Sequence, residues 1–253
     1  MAGLLNKILK SMRSSDRKMS CCAIIVAAGD SRRMEGENKI FMPLNGVPVL
    51  ARSILAFEEN PLIDEIIVVT KPEAIIEAAN LCTDYGIVKV KKIVCGGPTR
   101  LESSLNGVNE VGHDTELIAI HDGARPLVSQ RVITDAVNEA AKFGAAIPGV
   151  GVKDTIKRAQ GGVITATPDR AELYAVQTPQ VFAADLIKGA LQNALDKSLS
   201  ITDDSMAVEQ LGGQVRITEG SYDNFKITTP ADVGAAEILL RKWEKADENR
   251  TRI

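Results

Sequence analysis

"AIIVAAGDSRRMEGENK", residues 23–39, decides the fold. A β-branched run empties into Ala27, Ala28 and Gly29, and three cations, Arg32, Arg33 and Lys39, follow within eight positions. An unbroken apolar run bounded by small residues reads as a strand buried on both faces, as in a parallel sheet. That strand, "CAIIVAA" (22–28), is the first of five candidates, followed by "EIIVVT" (65–70), "VKKIVCG" (90–96), "ELIAIHD" (116–122) and "AAIPGVGV" (145–152). Helical stretches lie between them. In 129–144, Val132, Ile133, Ala136, Val137, Ala140 and Ala141 share a face, and Gly144 suits the C-cap. Thr99 with Glu102 forms a capping box, and Thr229-Pro230 opens a last helix. Strand and helix alternating in this way predict βαβ units in one α/β domain over 21–245, with helices on both faces of a mostly parallel sheet.

One segment breaks the rhythm. Residues 153–180 run in short alternating pieces around Gly161-Gly162, which predicts a projecting hairpin arm over about 153–178. Residues 1–20 hold five cations against one acid, without the long apolar core of a secretory signal, and are expected to be a disordered basic extension. Residues 246–253 form a polar tail.

With 45% hydrophobic and 25% charged residues the chain can bury a sizeable core. A net charge of -3 gives no general attraction to nucleic acid or anionic membrane, and no apolar run is long enough to span a bilayer. Four cysteines without a CxxC pair and only two histidines disfavour a zinc site. They suit reduced thiols in a cytoplasmic protein.

In open α/β sheets ligands bind beyond the carboxyl ends of the strands. After the first strand, Ala27–Gly29 let a ligand approach the backbone, and Arg32, Arg33 and Lys39 can neutralise phosphates. The same stretch also reads as a plain turn with solvated arginines. GxxxxGK[ST] and GxGxxG are both absent, so neither a P-loop nor a dinucleotide fingerprint is present. Asp122 ends the fourth strand, where a carboxylate can hold magnesium, a sugar hydroxyl or merely a turn. Gly96-Gly97 and Ser103 can read a base or form a simple loop, and His121 is expected to be a packed neighbour.

In order, "AAG…RRM…NK", "GG…R…S", "HDGARP", "VKDTIKR", "TPDR", "QTPQ", "TDD" and "DNFKITTP" closely resemble the 2-C-methyl-D-erythritol 4-phosphate cytidylyltransferases over about residues 22–240. The resemblance implies a Rossmann-like nucleotidyltransferase fold with an arm swapped across a homodimer. It implies transfer of CMP from CTP to methylerythritol phosphate with Mg2+, releasing pyrophosphate. Arg33 and Lys39 match the pair that stabilises the triphosphate. Arg170, from the partner's arm, and Lys226 match the pair that holds the substrate phosphate. Ala27, Ala28, Gly29, Gly97 and Ser103 match positions around CTP, and Asp122 matches the central acid there; Mg2+ is expected mainly through the CTP phosphates, with Asp122 as a further candidate ligand. Asp122, Arg125, Thr155, Thr178 and Thr202 match positions lining the methylerythritol pocket. Ser31, Asn38 and Gly123 depart from the usual pattern. A ribitol-5-phosphate cytidylyltransferase and a non-catalytic nucleotide-binding regulator are the competing readings.

Overall fold

A computed structural model describes residues 18–29 and 40–251, with side chains as far as Glu244. The five anticipated strands are present as β1 (Cys21–Val26), β4 (Glu65–Thr70), β5 (Val90–Cys95), β6 (Leu117–Asp122) and β7 (Ala145–Gly151). A tight hairpin, β2 (Pro43–Leu44) and β3 (Val47–Pro48), precedes helix α1 (Val49–Glu58). The crossovers are α1, α2 (Ile75–Asp84), α3 (Arg100–Asn109) and α4 (Gln130–Phe143). On α4 the anticipated apolar face is inward, and Gly144 ends the helix at φ 87°.

Alternation along β1 separates the two faces of the sheet. Cys21, Ala23 and Ile25 join Leu50, Ile54 and Phe57 of α1 and Val132 and Ala136 of α4 in one core. Cys22 and Ile24 join Leu105 and Val108 of α3 in the other. That second core is completed by α5 (Ala184–Asp196) and α6 (Asp204–Gln210), through Ile187, Leu191, Ala207 and Val208. Helices therefore cover both faces, as a two-sided apolar strand requires. Helix α7 (Pro230–Thr251) packs Ala236 and Leu240 on Leu44, Val49 and Leu127. Pro230 is its first residue, and Asp232 accepts the N–H groups of Thr228 and Thr229, each at 2.8 Å. The helix continues through the polar stretch from 246 to Thr251.

The sheet runs β5-β4-β1-β6, with β4 and β6 both parallel to β1. Then β11 (Gln180–Ala183) enters antiparallel between β6 and β7. The short β10 (Tyr174–Val176) continues along that same edge of β7, and β12 (Arg216–Glu219) lies parallel on its other edge. Six of the eight strands thus point one way. Sequence reasoning did not single out β11, because four buried residues show no period to read.

The arm is present. Strands β8 (Arg158–Gln160) and β9 (Val163–Ala166) pair around Gly161 and Gly162, which take φ 57° and 79° as a two-residue hairpin turn requires. Both strands are exposed throughout. Among the described residues no helix is long and apolar enough to cross a membrane.

Candidate active site

The carboxyl ends of β1, β4, β5 and β6 open onto one cleft of about 560 Å3. Ala27, Ala28 and Gly29 line one wall, and Gly96, Gly97 and Ser103 line another. The two walls touch. A Cβ on Gly96 would collide with that of Ala28 and stand 2.9 Å from Ser103 Oγ, so only glycine fits. The Gly96 N–H donates to Thr70 O at 2.8 Å, extending the sheet's hydrogen bonding into the loop. Ser103 Oγ accepts the Gly97 N–H at 3.1 Å and donates to Thr99 O at 2.9 Å. Thr99 and Glu102 make both bonds of the capping box, which fixes the start of α3 against the cleft.

Asp122, the last residue of β6, lies at the centre and is buried. Lys226 Nζ stands 3.1 Å and Arg125 Nε 3.3 Å from Oδ2, and Arg100 Nε stands 3.7 Å from Oδ1. Burial alone would raise the carboxyl's pKa. Lys226, Arg100 and Arg125 together hold it well below the usual carboxylate range. The Asp122 N–H donates to Thr178 Oγ1 at 3.1 Å. That hydroxyl lies 2.9 Å from His121 Nδ1, and His121 Nε2 lies 3.1 Å from the Arg125 carbonyl. A carbonyl only accepts, so Nε2 carries the proton and Thr178 donates to Nδ1. Burial pushes His121 down to about 4 against the pull of Asp122. It is a neutral packed residue, tilted against Phe57.

The loop that bears Lys226 is tied to the same strand ends. Arg125 Nη1 donates to Asn224 O at 2.8 Å, and Asn224 Nδ2 donates to Thr178 O at 2.9 Å. Gln177 Nε2 donates to Ser221 O at 2.7 Å. "QTPQ" and "DNFK" are thus one bonded unit that sets the height of Lys226 over Asp122.

The fold brings Ala27, Ala28, Gly29, Gly97, Ser103, Asp122 and Lys226 to the cleft lining, with Arg125 beside Asp122. Thr178 lies beneath, buried. Thr155 and Arg170 sit on the exposed arm, and Arg170 Nη1 donates to Lys153 O at 2.8 Å. Thr202 is exposed just before α6. Arg33 and Lys39, with Arg32, lie outside the described residues. Sequence reasoning passed over Lys71, which lines the cleft directly after β4; the census of strand ends would have reached it. Arg100, the arginine of "GG…R…S", lines the cleft, and Asp204, the last residue of "TDD", has its Oδ2 2.6 Å from Arg100 Nη2; sequence reasoning quoted both motifs and gave neither residue a role.

The model of the 2-C-methyl-D-erythritol 4-phosphate cytidylyltransferase (IspD) family matches residues 21–242. A relative from Caldanaerobacter subterraneus subsp. tengcongensis, which bears that enzyme's name, is 48% identical, over 88% of this chain and 100% of its own. One from Halalkalibacterium halodurans, under the same name, is 43% identical over 90% and 100%. The crystal structure of 4-diphosphocytidyl-2C-methyl-D-erythritol synthase from Anaerococcus prevotii superposes with a TM-score of 0.80 at 30% identity, covering 88% of this chain and 97% of that one. The matched residues span every strand of the described sheet, and the chain belongs to the 2-C-methyl-D-erythritol 4-phosphate cytidylyltransferase family.

Proposed function

We infer that the chain transfers a cytidylyl group from CTP to 2-C-methyl-D-erythritol 4-phosphate, giving 4-diphosphocytidyl-2-C-methyl-D-erythritol and pyrophosphate in isoprenoid synthesis by the non-mevalonate route. The observation that carries the reading is the cleft of this family member, with one buried carboxylate gripped by Lys226, Arg125 and Arg100. The nucleophile is a phosphate monoester, an anion at neutral pH that needs no general base. The one histidine near the cleft, His121, is buried, neutral and already bonded on both nitrogens. The barrier is repulsion between an anion and a triphosphate, so positioned cations are the chemistry this reaction requires.

In this reading Arg33 and Lys39 stabilise the triphosphate as pyrophosphate departs. Lys226 and Arg170 hold the sugar phosphate in line with the α-phosphorus. Ala27–Gly29, Gly97 and Ser103 seat the nucleotide. Arg125, Thr155 and Thr202 line the methylerythritol pocket, and Thr178 supports it by fixing Asp122. Mg2+ fits the residue set as an ion bound chiefly through phosphates. Among the described residues there is no cluster of three metal-ligating side chains, and Asp122 is the one carboxylate in the cleft lining. When bound, the ion adds positive charge to the triphosphate.

Two copies complete the site. Thr155 and Arg170 stand on an arm whose Ile156, Val163, Ile164 and Tyr174 are exposed, which suits an arm that reaches across to a partner. The cysteines are free, as the cytoplasm would keep them.

Pyrophosphate release tests the reading, with each nucleoside triphosphate paired with methylerythritol phosphate and with ribitol 5-phosphate. Turnover is expected only with CTP and methylerythritol phosphate. Equal turnover of ribitol 5-phosphate, or none with either polyol, overturns it.

A further inference from the structure

Asp204 is fully buried, yet in the described structure it has one charged partner and its Oδ1 makes no hydrogen bond. Its Oδ2 stands 2.6 Å from Nη2 of Arg100, the first residue of α3. The carboxylate cannot drift. Asp203 caps α6 by accepting the Met206 N–H at 3.1 Å and accepts Gln180 Nε2 at 2.7 Å. Ser205 N–H donates back to Gln180 Oε1 at 2.9 Å. Gln180 is on β11, in register with Ile120, two residues before Asp122. One end of the Arg100 guanidinium is thus anchored through α6 to the strand beside the one that delivers Asp122. Its Nε faces Asp122 Oδ1, and the side chain, 29% exposed, lines the cleft beside Gly97 and Ser103.

We propose that Arg100 contacts the bound nucleotide and that Asp204 is its positioning residue, locking the guanidinium fork so that a donor faces CTP. A guanidinium loses little freedom on binding an anion when one edge is already held, and a carboxylate behind it fixes the plane. Burying a charge with a single partner is costly unless its geometry is good, so removing that partner should be felt sharply by whatever Arg100 touches. The inference rests on the cytidylyltransferase reading for its choice of nucleotide. It gives Arg100 a ligand and adds Asp204 to that reading.

The test uses the full-length protein with Arg100→Lys, Asp204→Asn and the double variant. CTP binding is measured by calorimetry without the second substrate, and KM for each substrate is measured by pyrophosphate release. Either single variant is expected to weaken CTP binding by about tenfold or more. KM for methylerythritol phosphate at saturating CTP should stay within about twofold. The double variant should bind CTP no worse than about the weaker single variant, because the two act as one unit. A purely structural pair would lower Tm and leave the CTP dissociation constant of the folded fraction unchanged, and that outcome overturns the proposal. So do additive losses. If Asp204→Asn does not fold, Arg100→Lys decides alone, since unchanged CTP affinity leaves Asp204 nothing to position. A wild-type protein that binds CTP but transfers nothing to methylerythritol phosphate refutes the assigned reaction, while the calorimetric comparison still judges this pair.

Discussion

At Asp122, Arg100, Arg125 and Lys226 share one carboxylate, and each held cation is fixed in direction as well as charge. Asp122→Asn removes their common anchor, and kcat/KM should fall by about 100-fold, on the scale of losing one aligned electrostatic group. A fall of less than about threefold, read by pyrophosphate release, would contradict that role. Lys39→Ala should lower kcat by about two orders of magnitude; near-normal turnover at saturating CTP would remove Lys39 from the triphosphate. His121 gives a pH signature of the opposite kind. The unfolded chain protonates it near 6.5 and the folded chain only near 4. Between those values the unfolded state binds more protons, so stability drops as pH falls, by about 3 kcal/mol in total. The stability gap between wild type and His121→Gln, measured by urea unfolding, should therefore narrow from pH 7 to pH 4.5. A constant gap would refute a neutral buried imidazole. The position of Asp122 was readable because strand ends carry chemistry. Its three partners were not readable as a set, because they come from the start of α3, the turn after β6 and the loop before α7.

At the scale of elements, a few local devices set the cleft walls. The capping box fixes α3, and Gly96 lets that helix's loop lie on Ala28. Thr99→Ala should cost about 1 kcal/mol of stability and also weaken CTP binding, since Ser103 and Gly97 follow the helix start. Loss of stability with CTP affinity intact would separate the cap from the cleft. These devices were legible in the sequence because capping and turn chemistry act over three or four residues, as did the hairpin at Gly161-Gly162. The antiparallel insertion of β11 was not legible. Its register with β6 and β7 is a long-range pairing, and only the folded sheet shows why "QTPQ" and "DNFK" belong together.

For the whole molecule, the described cleft lacks the arm residues Thr155 and Arg170 in its own lining. If a partner's arm supplies Arg170, inactive Arg170→Ala and Lys226→Ala chains should rescue one another. Random re-pairing would restore about a quarter of wild-type activity, because half the dimers would hold one intact site. A mixture as inactive as its parents would place both residues in one chain's site. The central claim is that cations drawn together on Asp122 hold one phosphate for attack on another, with no protein nucleophile. Its most direct measurement is kcat/KM for methylerythritol phosphate in Lys226→Ala at saturating CTP. A loss of about 100-fold or more, with CTP affinity little changed, is the predicted result; an unchanged kcat/KM would contradict the account.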